Sequence, residues 1–338
     1  VRPDKREDIK RRLFQPPFCI EKSLAVWYTE RKGGTALSEL IFEVPATFDG
    51  CTVNDFLRRG KGVSYHLIKT LKRLDGPWGL FCNERPVRTV DSVRTGDRII
   101  LRWPEKETET SPLAAKVPVL YEDASLVVFN KPWNMPCHPV KRHQNDTLGN
   151  VFAAQGTALP FRPVNRLDKD TTGIVVVAKD PYTASRLAGN VEKEYLAILC
   201  GCPQQRLGTV DAPIRRVDPV HILREVSPEG QPAITHYEIV AEGDGYSLAR
   251  LWLETGRTHQ IRVHMSYWGY PLAGDVWYGG DLRIIPHQAL HCFRCRFLHP
   301  INGERVELTA PLYESFKKAL ENAKIEWRES DFPKTLDD

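Results

Sequence analysis

Two hydrophobic periods divide the chain. Within residues 45–104 apolar positions recur at helical spacing. Val53, Phe56 and Leu57 share one face of a helix that Thr52 would cap, and Leu67, Ile68, Leu71 and Leu74 stripe a second helix opening at Ser64. The following "GLFCNERPVRTVDSVRTGDRIIL" reads as short strands joined by turns at Asn83–Pro86 and Thr95–Asp97. From Pro118 onward apolar runs and period two dominate. Strands are expected at "SLVVFNKP", "GIVVVAK" and "KEYLAILCG". An antiparallel pair is expected from "PAITHYEIVAEG" and "YSLARLWLET" across Gly243–Gly245, and "QALHCFRCRFLHP" and "RVELTAPL" complete the sheet. Helices are expected at "PYTASRLAGNV", with Pro181 in its first turn, and at "THQIRVHMSYWG". In the latter Thr258 is the expected N-cap, Ile261, Met265 and Trp268 share a face, and Gly269 ends the helix.

Strands outnumber helices and several are hairpin-linked. The expected class is α+β, with a large mixed, mainly antiparallel sheet flanked by helices and a small N-terminal domain. The expected organisation is an extension over 1–44, with a strand pair through Gly33-Gly34, a small module over 45–104, and an acidic, Pro-containing linker over 105–117. A main domain over 118–325 and a tail over 326–338 follow.

Charge changes the picture of the small module. The whole chain carries only +4, but residues 45–104 hold eleven Lys/Arg against six Asp/Glu, a surplus that suits a polyanion such as RNA. Lys69 and Arg73 stand opposite the apolar stripe of the second helix and are candidate RNA contacts. No apolar run is long enough to cross a membrane, and Val1–Arg12 is charged, unlike a secretory signal, so a cytoplasmic location is expected. The eight cysteines lack metal-ligand spacing. The close pair Cys292/Cys295 should point to opposite faces of a strand, so reduced, mostly buried thiols are expected and no metal.

The candidate chemistry gathers in four segments. Asp168 lies in a charged loop directly before Gly173-Ile-Val-Val-Val, and a buried strand is a rigid mount for a reactive carboxylate. An ionised Asp can attack an electrophilic carbon such as a sugar C1′, and a nearby Arg would favour its charged form. A solvated turn is the plainer reading, and Asp170 competes locally. "ETGRTHQIRVH" follows a sharp turn permitted by Gly256. It offers free N–H groups at a helix start, with Arg257, His259, Gln260 and Arg262, the last a candidate partner for Asp168. Tyr195 has the strand parity of Ala197 and Leu199 and should face inward. Lys131, in the Pro-rich loop "FNKPWNMPCHP", is a candidate RNA contact.

Together, and in this order, "NKPWNMPCHP", "NRLDKDTTGIVVVAK", "KEYLA", "LETGRTHQIRVHM", "PLAGDVWYG" and "LHCFRCRFLHP" resemble the motifs of the RNA pseudouridine synthases. The branch they resemble is the RluA/RluD type, and the resemblance covers roughly 118–312. The 45–104 module is similar to the α-L RNA-binding domain. The resemblance implies that Asp168 is the catalytic aspartate and that Arg166 enters the space left by a flipped uridine. It also implies that Tyr195 stacks on the target uracil and that Arg262 pairs with Asp168. Thr171 and Gly173 belong to the same Arg-Leu-Asp motif. Thr172 stands where a Ser is usual, and Asn165 where a His is usual, the latter bearing on how Arg166 is held when no RNA is bound.

The expected activity is isomerisation of uridine to pseudouridine in RNA, in large-subunit ribosomal RNA ahead of transfer RNA. The step needs no redox partner or group donor, so no cofactor is expected. The base must leave its stack, at a cost of about a few kcal/mol. Two other readings fit parts of the pattern. One is a non-catalytic RNA-binding or ribosome-assembly factor that keeps the fold. The other is a hydrolase using Asp168 with His259 or His264.

Overall fold

The structure, a computed structural model, describes residues 27–32, 35–74, 76–105, 110–140, 143–155, 159–218 and 222–328, with side chains from Ser38 onward. The expected turn at Gly33-Gly34, most of the N-terminal extension and the end of the tail lie outside them. No helix among the described residues is long and apolar enough to cross a membrane.

Ten strands form one sheet. Its main path runs Leu207–Asp211, Ile234–Glu242, Tyr246–Leu253, Glu192–Cys200, Leu290–Leu298, Thr172–Ala178, Leu126–Lys131, Val119–Glu122. Arg305–Thr309 pairs with 290–298, and Arg162–Pro163 with 172–178. All its pairs are antiparallel except 290–298 with 172–178, where His291 meets Thr172 and Cys292 meets Gly173. The class is α+β with a mixed sheet, as expected. Central strands read as unbroken apolar runs because both faces are covered. In 192–200, Tyr195, Ala197 and Leu199 join the main core, while Leu196 and Ile198 join a second core. That second core is closed by Phe316, Ala319 and Leu320 of helix Glu314–Asn322.

One cross-strand row positions the site. Leu251 pairs with Tyr195, Tyr195 with Cys292, Cys292 with Gly173 and Gly173 with Lys131. Neighbouring strands lie roughly 4.8 Å apart, so Tyr195 sits about two strand spacings from the residue that ends the Asp168 loop. The register of 290–298 slips by one residue opposite Glu194/Tyr195. The bulge reverses strand parity, so Cys292 and Cys295 both face the main core rather than opposite faces.

Gly173 is demanded by this row. Its φ is +107°, and a Cβ there would lie 2.2 Å from the Cys292 carbonyl oxygen. Strain and overlap together predict that Gly173→Ala loses about 3 kcal/mol of stability and most activity, read by thermal melting and RNA turnover.

The N-terminal residues form a second sheet, in the order Trp27–Lys32, Thr35–Glu43, Arg98–Pro104, Gly79–Cys82, Arg85–Pro86. Strand 35–43 pairs along its length with 98–104, so this sheet begins upstream of residue 45. Thr52 and Ser64 cap their helices, and Val53, Phe56, Leu57, Leu67, Ile68 and Leu71 are buried. The core of this unit also takes in Tyr182 from helix Pro181–Leu187. The Tyr182 ring meets Phe42 edge-on at 5.5 Å and its hydroxyl donates to the Lys61 carbonyl at 2.7 Å. Arg162 and buried Glu105 pair at 2.6 Å, and Glu105 also accepts from Ser38 and Trp103. The described part of the 105–117 segment lies on the main core through Leu113, Ala115 and Val117.

Asp180 caps helix 181–187 by accepting from the Thr183 N–H at 2.8 Å, yet its Oδ2 finds no donor among the described residues. Burial pushes its carboxyl up to about 7. Between the ordinary carboxylate value and about 7 the folded chain holds a proton that the unfolded chain has released. This group's contribution is therefore present at low pH and is lost as pH rises through that window. Asp180→Asn keeps the cap, removes that slope, and should be a few kcal/mol more stable than the parent at pH 8 in denaturant titrations.

Candidate active site

Asp168 is held from the helix Gln260–Tyr267. Arg262 Nη1 donates to Asp168 Oδ2 at 3.1 Å, and the opposite side of the same guanidinium grips Asp275 through Nε at 2.6 Å and Nη2 at 2.8 Å. Arg262 and Asp275 are buried, whereas the Asp168 carboxylate remains 27% exposed. A planar guanidinium locked by a bidentate partner has one orientation to offer its third carboxylate. Burial pulls the Arg262 pKa down, but hydrogen bonding and charge from Asp275, then from Asp168, raise it overall, so the cation is permanent.

His259 forms the other wall. It is the N-cap of helix 260–267, at φ 58°, with no side-chain cap bond. The expected Thr258 cap is not found. The left-handed turn falls on His259 itself. Its Nε2 lies 3.8 Å from Asp168 Oδ2, and its Nδ1 lies 2.8 Å from the Tyr278 hydroxyl. That hydroxyl also accepts from the Arg224 N–H at 3.0 Å, so Tyr278 ties the His259 ring to strand 224–226. Burial lowers the His259 pKa and keeps the ring neutral at pH 7.

The Asp168 loop is pinned at several points. Asn165 bridges to strand 172–178, donating to the Ile174 carbonyl and accepting from the Val176 N–H, both at 2.9 Å. It thus acts as one more rung of the ladder and leaves Arg166 exposed beside it. Cys137 Sγ contacts both the N–H and the carbonyl of Leu167. Gln288 donates to Thr171 Oγ1 at 2.7 Å, and the Thr171 N–H turns back to the Asp168 carbonyl. Fully buried Lys131 spends its ammonium on the carbonyls of Pro132, Met135 and Lys169 at 2.8, 2.8 and 3.0 Å. Burial brings its pKa down to about 8, still charged at neutral pH. Tyr195 is buried, and burial followed by the neighbouring Cys292 raises its phenol well above the usual value, so it is neutral at pH 7.

The sequence profile of the RNA pseudouridylate synthase family matches residues 125–267. The uncharacterized RNA pseudouridine synthase YjbO of Bacillus subtilis is 38% identical over 270 residues, 77% of this chain and 95% of that one. The chain belongs to the RNA pseudouridylate synthase family. Ribosomal large subunit pseudouridine synthase D of Haemophilus influenzae is 38% identical over 264 residues, 71% of this synthase and 81% of that one. Human RNA pseudouridylate synthase domain containing 4 superposes with a TM-score of 0.51 at 27% identity, covering 62% of this synthase and 94% of that chain. The synthase is accordingly an RNA-modifying isomerase.

The remaining expected residues are distributed around its site. Gln260 is buried and fully engaged, accepting from Thr255 and the Arg257 N–H and donating to Ile234 and Thr235. Arg257 is exposed, its Nε on the Pro232 carbonyl. His264, the other histidine of the hydrolase reading, is closed off between Thr235 and the Ala212 carbonyl. Lys69 and Arg73 stand exposed on the N-terminal unit, as do the other cations of 45–104 except Lys61 and Arg102. The reading from sequence assigned no role to Asp275, Tyr278 or Trp277. Their only signal was their place in "PLAGDVWYG".

Proposed function

We propose that this synthase converts specific uridines of large-subunit ribosomal RNA to pseudouridine, with Asp168 as the catalytic carboxylate. The observation that carries the reading is the Arg262 bridge, which holds one partly exposed carboxylate, in the loop before strand 172–178, against a guanidinium fixed by Asp275. The name of the Haemophilus relative supports ribosomal RNA as the substrate class.

The uridine leaves its stack and enters the cleft, while exposed Arg166 fills the vacated space and offsets part of the unstacking cost. The ionised Asp168 then promotes rupture of N1–C1′. Attack at C1′ and abstraction of a sugar proton both use the carboxylate that Arg262 holds in place. Tyr195 stacks on the freed uracil and keeps C5 within bonding reach of C1′, catalysis by proximity. The C5 proton is finally taken by Asp168, which in the abstraction route has first returned its proton to the sugar. Neutral Tyr195 is a poor base. The exposed cations of the N-terminal unit, Lys69 and Arg73 among them, hold the phosphate backbone in the manner of an α-L domain. Incubation with transcribed ribosomal RNA, followed by digestion and mass mapping, should reveal pseudouridine at one or a few fixed positions. Unmodified RNA would refute the assignment.

A further inference from the structure

Trp133 stands in the loop after strand 126–131 with 42% of its surface exposed. Its inner face lies on the His287 ring, with centroids 4.8 Å apart and planes 11° from parallel. His287 is buried and held by the Ser315 hydroxyl at 3.1 Å and the Gln288 carbonyl at 3.2 Å. The platform is tied to the catalytic loop twice. Gln288 donates to Thr171, and the Lys131 ammonium joins the carbonyls on either side of Trp133, those of Pro132 and Met135, to that of Lys169. The Met135 N–H also donates to the Lys169 carbonyl at 3.0 Å. An indole with one face backed by a fixed ring and the other open is built to stack on a flat partner. Flipping a uridine strips its neighbour of a stacking partner, and base–aromatic stacking serves any of the four bases.

From this geometry we infer that Trp133 is the stacking platform for an unstacked nucleobase of the RNA strand beside the target uridine. The inference rests on the RNA isomerase reading and adds an affinity-determining residue to it. Trp133 touches no reacting atom, so its share lies in RNA binding and not in the chemical step.

The test uses the full chain and a ribosomal RNA fragment in which each neighbour of the modified uridine is replaced in turn by 2-aminopurine. Parental pseudouridine formation is measured first, so failure of the functional reading is seen separately. Trp133→Ala should raise Kd and KM about tenfold or more, leave kcat at saturating RNA within about twofold, and remove quenching of one 2-aminopurine. Trp133→Phe should restore most of the affinity. The slope of log Kd against log salt should not change, because no phosphate contact is lost. Unchanged Kd and KM in Trp133→Ala, or a Phe variant as weak as the Ala variant, would overturn the proposal.

Discussion

Asp168→Asn is expected to bind ribosomal RNA at least as tightly as the parent chain and to form pseudouridine slower by about 10⁴-fold or more. The amide keeps the shape and can still accept from Arg262 Nη1, so the loop remains in place. What disappears is the negative charge that both routes to N1–C1′ rupture need. Removing an anion from a surface that meets a polyanion cannot weaken the electrostatic part of binding. Filter binding and a pseudouridine mass assay on the same RNA separate the two effects. Parental turnover in this variant would move the chemistry to another group, with Asp170 the nearest alternative in sequence.

Asp275→Asn should also slow turnover, by a smaller factor and without touching the substrate. Asp275 takes two of the three hydrogen bonds Arg262 makes here, and both side chains are buried. Removing one partner of a buried pair costs about 3–5 kcal/mol, because the remaining charge is left uncompensated. A guanidinium free to swing also displaces Asp168, and a misplacement of about 1 Å costs roughly 10²-fold in rate. The expected pattern is a kcat about 10²-fold lower, a KM for RNA little changed, and a lowered melting temperature. A variant with full kcat would reduce Asp275 to a structural residue and detach it from the Asp168 mount.

Local features were readable from the chain alone. The caps at Thr52 and Ser64, the helix at Pro181 and the antiparallel pair 234–253 follow from side-chain chemistry and short separations. Asp168 and Arg262 were readable as motif residues, and the structure brings them within 3.1 Å across 94 positions. What was not readable depends on distant contacts. The parallel pairing of 290–298 with 172–178 joins strands more than a hundred residues apart, and no local pattern announces it. The bulge opposite Tyr195 inverts the faces of Cys292 and Cys295, and strict alternation cannot foresee one extra residue. Thr258 looked like a cap by residue type, but the chain spends its left-handed turn on His259 to aim Nε2 at the carboxylate. Asp275, between a glycine and a valine, reads as a turn residue until the Arg262 fork is seen around it. Lys131 reads as an RNA-facing cation, yet its three donors all point to backbone carbonyls.

A carboxylate at position 168 that rejoins uracil to the same sugar through C5 must expel the C5 hydrogen and leave the RNA chain intact. Release of tritium from ribosomal RNA transcribed with 5-tritiated uridine reads that event directly. The unsupplemented parent chain should release tritium equal in moles to the pseudouridine formed, on RNA of unchanged length, and Asp168→Asn should release none. Tritium retained on RNA incubated with the parent chain, or uracil set free in its place, would contradict this chemistry.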